Sequence, residues 1–320
     1  MVEFKDISMW EKHEYLGTGG TRDKVVVENP DDNCLYYFKT SLIKKEKNYT
    51  YEFWSEVIAS EVGDFLGFDI LKYNVAANEH HTLGCLSKLM IDTTVEQLDE
   101  GYKWIKRYQL AYDTEDRDAY TFQLIDDTLK NLFPNEKFIE KLISTIVLDC
   151  IIGNEDRHQE NWGIIISNKA TTKATKSFFS QKTPVPISTY RFAPIYDSGS
   201  SLGRELREEK VNQMLTDSVQ LNAYINRGQS EIHWLGEHGK QKHFSLIDKI
   251  AKTEYKHVII TELKRIKEKY DKVKIAEIVN HIDDCLPEAY KLHKIPQKRK
   301  DLLIKLITLR IERLLSLNYE

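Results

Sequence analysis

Polar side chains are concentrated in one segment of the chain, residues 149–166, which reads DCIIGNEDRHQENWGIII. An apolar run ends there at Gly153, and another begins at Gly163. Between them stand Asn154, Asp156, Arg157, His158 and Asn161. Buried polar groups are costly unless they bond to one another or to a ligand, and a helix cap needs only one of these residues. The segment therefore predicts a functional loop.

Asp156 and Asn161 lie five residues apart in this loop. That spacing lets the Asp156 carboxylate approach a nucleophilic hydroxyl while the Asn161 amide oxygen binds a divalent metal. His158 has two open interpretations, because it could hold the loop by hydrogen bonds or accept the proton itself. Asp149, inside the preceding apolar run, is expected to bond loop N–H groups. We predict Asp156 and His158 as catalytic residues and Asn161 as a metal ligand.

A second acid, Asp197, follows a predicted strand in the segment APIYDSGSSL, residues 193–202. Hard cations such as Mg²⁺ prefer one or two carboxylates together with substrate phosphates. Asp197 and Asn161 would supply such a site if the strands that carry them pair. By itself, Asp197 could also be a turn former ahead of Ser198 and Gly199.

Residues suited to phosphate binding lie near the N-terminus. Lys39 ends the segment CLYYFKT, and Glu56 lies 17 residues later on a predicted helix, where it could pair with the Lys39 ammonium. Both could instead be solvated surface residues. Backbone N–H groups could bind phosphate in a turn that consists of Thr18, Gly19, Gly20, Thr21 and Arg22. With a carboxylate that orients the acceptor and with metal ligands, these are the parts that phosphoryl transfer from ATP requires.

Apolar periodicity separates a β-rich beginning from a helical remainder. Residues 24–28 and 34–40 predict a hairpin around the turn ENPDDN, with a helix at 51–66 and strands at 70–77 and 82–90. From about Val95 onward the pattern becomes helical, interrupted by strands at 163–166 and 191–196 and by a polar excursion at 167–189. The predicted helices are 137–152, 259–270, 273–285 and 300–317. This order predicts an α+β fold.

Composition excludes several classes of protein. Apolar residues make up 41% and charged residues 30% of the 320 residues, which argues against wholesale disorder. The net charge of −4 provides no basic surplus for direct nucleic-acid binding. Four scattered cysteines suggest neither a disulfide framework nor a zinc site. The N-terminal residues lack an apolar stretch and no apolar run reaches ~20 residues, so we expect no secretory leader and a cytoplasmic protein without a membrane span.

Five pieces in order, GGTRDK, YFK, SEVIASEVGDFLG, GNEDRHQENWG and APIYDSGSSL, resemble the HipA-like serine/threonine kinase family over the whole chain. The last two are highly specific in combination. The resemblance implies a bilobal, protein-kinase-like fold, with a small β-rich N-lobe at residues 1–92 and a larger, mostly helical C-lobe at 93–320. The chain begins almost directly at the kinase core, so it is similar to the shorter, stand-alone members.

The resemblance also implies roles for single residues. Mg-ATP would be bound with Asp156 as catalytic base, Asn161 and Asp197 as metal ligands and Lys39 as the phosphate-binding lysine. A hinge between the lobes would hold the adenine, and its residues would be Ser87, Lys88 and Leu89.

The leading hypothesis is an ATP-dependent kinase that acts on a protein Ser or Thr hydroxyl. The family resemblance suggests a toxin of a toxin–antitoxin pair, with an antitoxin protein as partner. A phosphoinositide-type lipid kinase is an alternative because those enzymes also use a D-R-H-x-x-N loop, although IYDSGSSL stands where they carry a DFG-like motif. A non-catalytic nucleotide-binding regulator is a third possibility. The sequence identifies neither the substrate nor the oligomeric state.

Overall fold

The computed structural model describes residues 2–13, 24–44, 47–171, 185–317 and 319. The strands in these ranges are β1 (Phe4–Asp6), β2 (Glu11–Lys12), β3 (Lys24–Glu28), β4 (Leu35–Thr40), β5 (Ile43–Lys44), β6 (Lys47–Asn48), β7 (Asn74–Ala77), β8 (Leu83–Lys88), β9 (Glu96–Glu100), β10 (Gly163–Thr171), β11 (Val185–Phe192), β12 (Gln229–Ser230) and β13 (Gln241–Lys242). The helices are α1 (Glu52–Phe65), α2 (Gly101–Tyr108), α3 (Phe122–Leu132), α4 (Phe138–Ile152), α5 (Glu208–Thr216), α6 (Ser218–Arg227), α7 (His243–Ile250), α8 (Lys256–Lys269), α9 (Lys272–His281) and α10 (Gln297–Leu315).

The N-terminal part is a six-stranded sheet with the order β1-β7-β8-β4-β3-β2. The predicted hairpin is confirmed, since β3 and β4 pair antiparallel with Lys24 opposite Lys39. Helix α1 packs against this sheet, and its Val57, Ile58 and Val62 are buried in the main core. Apolar residues on successive turns explain why this segment forms a buried helix. The sheet and α1 therefore hold Lys39 and Glu56 on neighbouring elements.

A three-stranded sheet with the order β11-β10-β9 joins the two predicted metal-binding segments. Strands β10 and β11 pair antiparallel, with Ile164 opposite Phe192. Asn161 precedes β10 and Asp197 follows β11, so the pairing brings both segments to the same end of the sheet. Strand β11 ends at Phe192, earlier than the predicted 196, and Ile195 instead forms a parallel bridge to Ile70.

Strand β9 corrects the prediction that the chain becomes helical at Val95. Its sequence, EQLDE, lacks β-branched and aromatic residues. It is a strand because it pairs with β10 from Glu96 opposite Ser167 to Glu100 opposite Gly163. Strand propensity depends on such neighbours more than on the segment itself, so pairing decided the structure here. Strands β1 and β2, which precede the first predicted strand, were likewise not predicted.

Helix α4 lies at the centre of the helical remainder, as its apolar sequence predicts, and packs against α7, α8 and α10. It ends at Gly153, whose backbone is left-handed with φ of 67°. Glycine adopts this conformation at low cost, so the helix stops directly before the predicted functional loop. In the part of the chain that the structure describes, no helix is long and apolar enough to cross a membrane.

Candidate active site

A buried lysine joins the N-terminal sheet to the segment after β11. Lys39 is 7% exposed, and its Nζ donates hydrogen bonds to Glu56 Oε1 at 2.8 Å and to Asp197 Oδ1 at 2.5 Å. Glu56 Oε2 also accepts a hydrogen bond of 2.7 Å from the Ser198 N–H. Charge-assisted hydrogen bonds of this kind have strict geometry, so one glutamate orients both the ammonium and the backbone beside Asp197.

Asp197 has a backbone φ of 54°, in the left-handed region where aspartate is found more often than most residues. Its Oδ2 lies 3.4 Å from Lys24 Nζ, so two ammonium groups approach one carboxylate. Residues in this backbone region often occur at functional sites, where the surrounding contacts hold them in place. Here the contacts come from Lys24, Lys39 and the next residue, Ser198.

A fully buried arginine lies beneath the loop and connects its two ends. Arg157 binds Asp149 with two hydrogen bonds of 2.9 Å, from Nε and from Nη2. Its Nη1 donates to the Asn161 carbonyl at 2.7 Å and also to the Tyr196 carbonyl. Burial would lower the pKa of Arg157, but the Asp149 charge and hydrogen bonds outweigh it and raise the pKa above its ordinary value. The Asp149 carboxylate accepts from one loop N–H group, the Asn154 Nδ2 at 2.9 Å, as expected, and it also binds the Arg157 guanidinium, which was not expected.

The loop that contains Asp156 is held by hydrogen bonds from its own side chains and from one serine outside it. Asn161 Nδ2 donates to the Asp156 carbonyl at 2.6 Å, and Ser200 Oγ donates to Asp156 Oδ2 at 3.0 Å. His158 Nδ1 accepts a 3.2 Å hydrogen bond from the Glu160 N–H. One ring nitrogen of His158 therefore has a structural bond, which favours its interpretation as a residue that holds the loop.

Two cavities meet at these residues. The inner cavity has a volume of about 590 Å³ and is lined by Lys39, Tyr37, Tyr73 and Ser87, among others. The outer cavity, of about 700 Å³, is lined by polar and charged residues that include Asp156, His158, Asn161 and Glu155. Both share four lining residues, which are Lys24, Glu100, Tyr196 and Asp197. The arrangement is one cleft with Asp197 in the middle.

The predicted hinge residues occupy different positions around the inner cavity. Ser87 lines it, whereas the Lys88 side chain is exposed and the Leu89 N–H bonds to the Leu35 carbonyl. The lining continues instead through Met90 and Ile91. The predicted phosphate turn at residues 18–22 lies outside the described residues.

The comparisons with known proteins concern the sequence and the fold of the chain as a whole. No protein-family model matches the chain. The chain is 24% identical over 270 residues to the serine/threonine-protein kinase CtkA of Helicobacter pylori, a match that covers 81% of this chain and 73% of CtkA. The crystal structure of that organism's proinflammatory kinase CtkA matches with a TM-score of 0.71 at 22% identity, over 97% of this chain and 96% of that one.

The chain is a homologue of the kinase CtkA. It also shares its fold with HipA of Shewanella oneidensis, from a structure of the toxin–antitoxin proteins HipA and HipB with operator DNA. That match has a TM-score of 0.50 at 11% identity and covers 93% of this chain and 65% of the HipA chain. The predicted α+β kinase-like fold is confirmed, and the predicted serine/threonine kinase relationship is confirmed by the homology to CtkA.

Several residues of this candidate site were not predicted. Lys24 was treated only as part of a strand, although its register opposite Lys39 places it beside Asp197. Ser200 lies in the Gly/Ser-rich segment after Asp197, which the sequence analysis identified. Its bond to Asp156 could not be predicted, because it forms only when this segment contacts the loop after α4. Arg157 was identified only as one of the polar residues of the loop, and its burial and its bonds to Asp149 give it a structural role.

Proposed function

We propose that the chain is an ATP-dependent protein serine/threonine kinase whose reaction takes place in the cleft around Asp197. One observation carries the proposal: the Lys39 ammonium is held by Glu56 and Asp197 at one side of a cleft that continues to Asp156 and Asn161. Phosphoryl transfer depends mainly on positioning and charge neutralisation, and this arrangement provides both. The homology to CtkA supports the same reaction class.

The donor set fits a Mg²⁺ ion bound together with ATP. The Asn161 side-chain nitrogen donates a hydrogen bond to the Asp156 carbonyl. The Oδ1 of the same Asn161 amide is an oxygen suited to a hard cation such as Mg²⁺. Asp197 provides a carboxylate that already attracts two cationic groups. Among the residues that the structure describes, no cluster of three or more His, Cys, Asp or Glu side chains could hold a metal. ATP phosphates would therefore complete the ligand set, and bound Mg²⁺ would neutralise their charge.

The chain's own residues would then have distinct roles. Asp156, fixed by Ser200, would accept the proton of the acceptor hydroxyl. Lys39 would bind phosphate oxygens, and Glu56 would hold its ammonium in position. Arg157 would keep the carbonyls of Asn161 and Tyr196 together so that both proposed metal ligands stay in place.

We further propose two lobes, residues 1–92 and 93–320, with the adenine in the inner cavity near Ser87. The sheet that contains β4 and β8 lies wholly before residue 92, and nine of the ten helices in the described ranges follow it, which supports this division. The backbone between Ser87 and Ile91 would form the hinge, including Lys88 and Leu89. The turn at residues 18–22 would cover the phosphates.

We also propose a protein substrate and a small antitoxin-like partner, because HipA, whose fold the chain shares, is found with HipB. An ATP-dependent reaction of this kind would take place in the cytoplasm.

The test is transfer of labelled phosphate from ATP with Mg²⁺ by wild type and by Asp156→Ala. Wild type should label itself or added proteins that contain serine and threonine, and the variant should be at least about 10²-fold slower. Lipid vesicles form a second arm. Equal labelling by both proteins would refute the proposal, and labelling of lipid alone would establish a lipid kinase.

A further inference from the structure

A third cavity, of about 560 Å³, lies at the N-terminal end of α1 and shares the lining residue Leu42 with the outer cavity of the cleft. Buried side chains of Phe53, Trp54 and Leu83 line it. Trp54 Nε1 donates to the His293 carbonyl at 3.3 Å, which ties one wall to the 3₁₀ helix Glu288–His293. Aromatic and aliphatic walls of this kind favour an apolar ligand group.

The charge of this cavity differs from that of the cleft. Its described lining includes His81, His293 and Lys294 but neither aspartate nor glutamate. Lys294 Nζ is 3.6 Å from Asp284 Oδ1, and its side chain remains 43% exposed. The surroundings therefore favour an anionic ligand.

Two large apolar side chains at the cavity are exposed to solvent. Leu292 is 91% exposed and Ile43 is 64% exposed. Covering apolar surface is favourable in proportion to the area covered, so a ligand that reaches from the floor to these side chains would gain affinity along its length. A small anion would leave both side chains uncovered, whereas a peptide could cover them.

We propose that this cavity binds an acidic peptide segment of a partner protein, which inserts a bulky apolar side chain against Phe53, Trp54 and Leu83. Its carboxylates would face His81, His293 and Lys294. A basic segment is disfavoured because the Lys294 ammonium would repel it. Nucleic acid is disfavoured because it has no apolar side chain to place on the floor of the cavity or against its exposed apolar rim.

The cavity wall is bonded directly to the elements that hold Lys39 and Glu56. The Phe53 N–H donates to Ser41 Oγ at 3.1 Å, and the Leu42 N–H donates to Glu52 Oε2 at 2.9 Å. Ser41 and Leu42 follow Lys39 by two and three residues, and Phe53 precedes Glu56 by three. A peptide that orders this corner would favour the Lys39–Glu56 pair and thereby tighten ATP binding. This second step rests on the proposed function.

The binding test uses fluorescence anisotropy without ATP and three labelled octapeptides. The first has six acidic residues around a central Trp-Leu, the second replaces Trp-Leu by Ala-Ala, and the third replaces the acidic residues by lysine. The first should bind at least about tenfold more tightly than the others. Lys294→Glu should weaken it about tenfold, and the matched control Lys298→Glu, an exposed lysine outside the cavity lining, should not. Equal binding of all three peptides, millimolar or weaker binding of the first, or equal loss in both variants would overturn the proposal.

The coupling test measures the Kd of ATP–Mg²⁺ with and without saturating acidic Trp-Leu peptide. We expect ATP to bind about fivefold more tightly with the peptide, the lower end of ordinary coupling. An unchanged Kd would refute the coupling. A protein that binds the peptide but no ATP would refute the proposed function and leave the docking site intact.

Discussion

Two buried cations, Lys39 and Arg157, serve different purposes in this molecule. Lys39 lines the inner cavity of the cleft, and its bonds to Glu56 and Asp197 come from a single nitrogen that can exchange partners. Arg157 is fully buried, and its Nε, Nη1 and Nη2 all bond to protein atoms. The comparison indicates that Lys39 is placed to bind a ligand, whereas Arg157 holds the backbone of the residues that would bind that ligand.

The largest effect should follow removal of Arg157. Arg157→Met leaves the Asp149 carboxylate buried without its partner, and we expect the free energy of unfolding to fall by about 3–5 kcal/mol. Urea unfolding measures this change. Asp149→Leu combined with Arg157→Met should recover at least half of the loss, because the unpaired charge is removed as well. If the free energy of unfolding of Arg157→Met falls by less than ~1 kcal/mol, Arg157 does not have the structural role that distinguishes it from Lys39.

Removal of Lys39 should mainly affect activity. For Lys39→Met we expect the rate of phosphate transfer to fall about 10²–10³-fold, because one preorganised charge at the phosphates is lost. The same change at Lys72, an exposed lysine paired with Asp64, serves as the control and should leave the rate unchanged. The assay is transfer of labelled phosphate at saturating ATP. Similar rates for Lys39→Met and wild type would place the phosphates elsewhere.

A third buried cationic group extends the comparison, because Arg310 bonds to the Cys150 carbonyl and lies beside His243. Burial and the Arg310 charge lower the pKa of His243 to about 3. An unfolded histidine titrates near ~6.5, so only the unfolded state gains this proton as the pH falls below that value, and stability is lost.

The wild type should therefore lose up to about 1.4 kcal/mol per pH unit through His243 between pH ~6.5 and ~4. His243→Leu should lack this part of the pH dependence. Urea unfolding at pH 7.5 and 5.5 measures the difference between the two proteins. Identical pH dependence in both would show that His243 is protonated in the folded state.

The smallest effect should come from Lys24, whose side chain is partly exposed at 3.4 Å from Asp197. For Lys24→Met we expect the KM for ATP to rise by less than about tenfold, with kcat nearly unchanged, because Lys39 still neutralises Asp197. Steady-state kinetics over a range of ATP concentrations separates the two constants. A loss of kcat as large as that of Lys39→Met would mean that the two lysines have equivalent roles.

Local sequence was sufficient to predict much of the fold and of the candidate site. We predicted Asp156, Asn161 and Asp197 as site residues because they are polar and lie next to apolar runs. We predicted α4 from apolar periodicity and the β3–β4 hairpin from the turn residues between its strands. Strand β9 could not be predicted because its pairing with β10, not its composition, makes it a strand. The roles of Lys24 and Arg157 depend on contacts between segments that are distant in the chain, which spacing alone does not specify.

The N-terminal sheet and α1 are bonded to the helical remainder at several places. Residues 69–71 bond to Ile195 through Leu71 N–H and Asp69 carbonyl. Residues 89–95 pass into β9, which is itself part of the β10 sheet. At the beginning of α1, Trp54 Nε1 donates to the His293 carbonyl. Opening the cleft would therefore have to break bonds along α1 as well as the Lys39–Asp197 pair, so we expect ATP to enter without a large movement of the sheet.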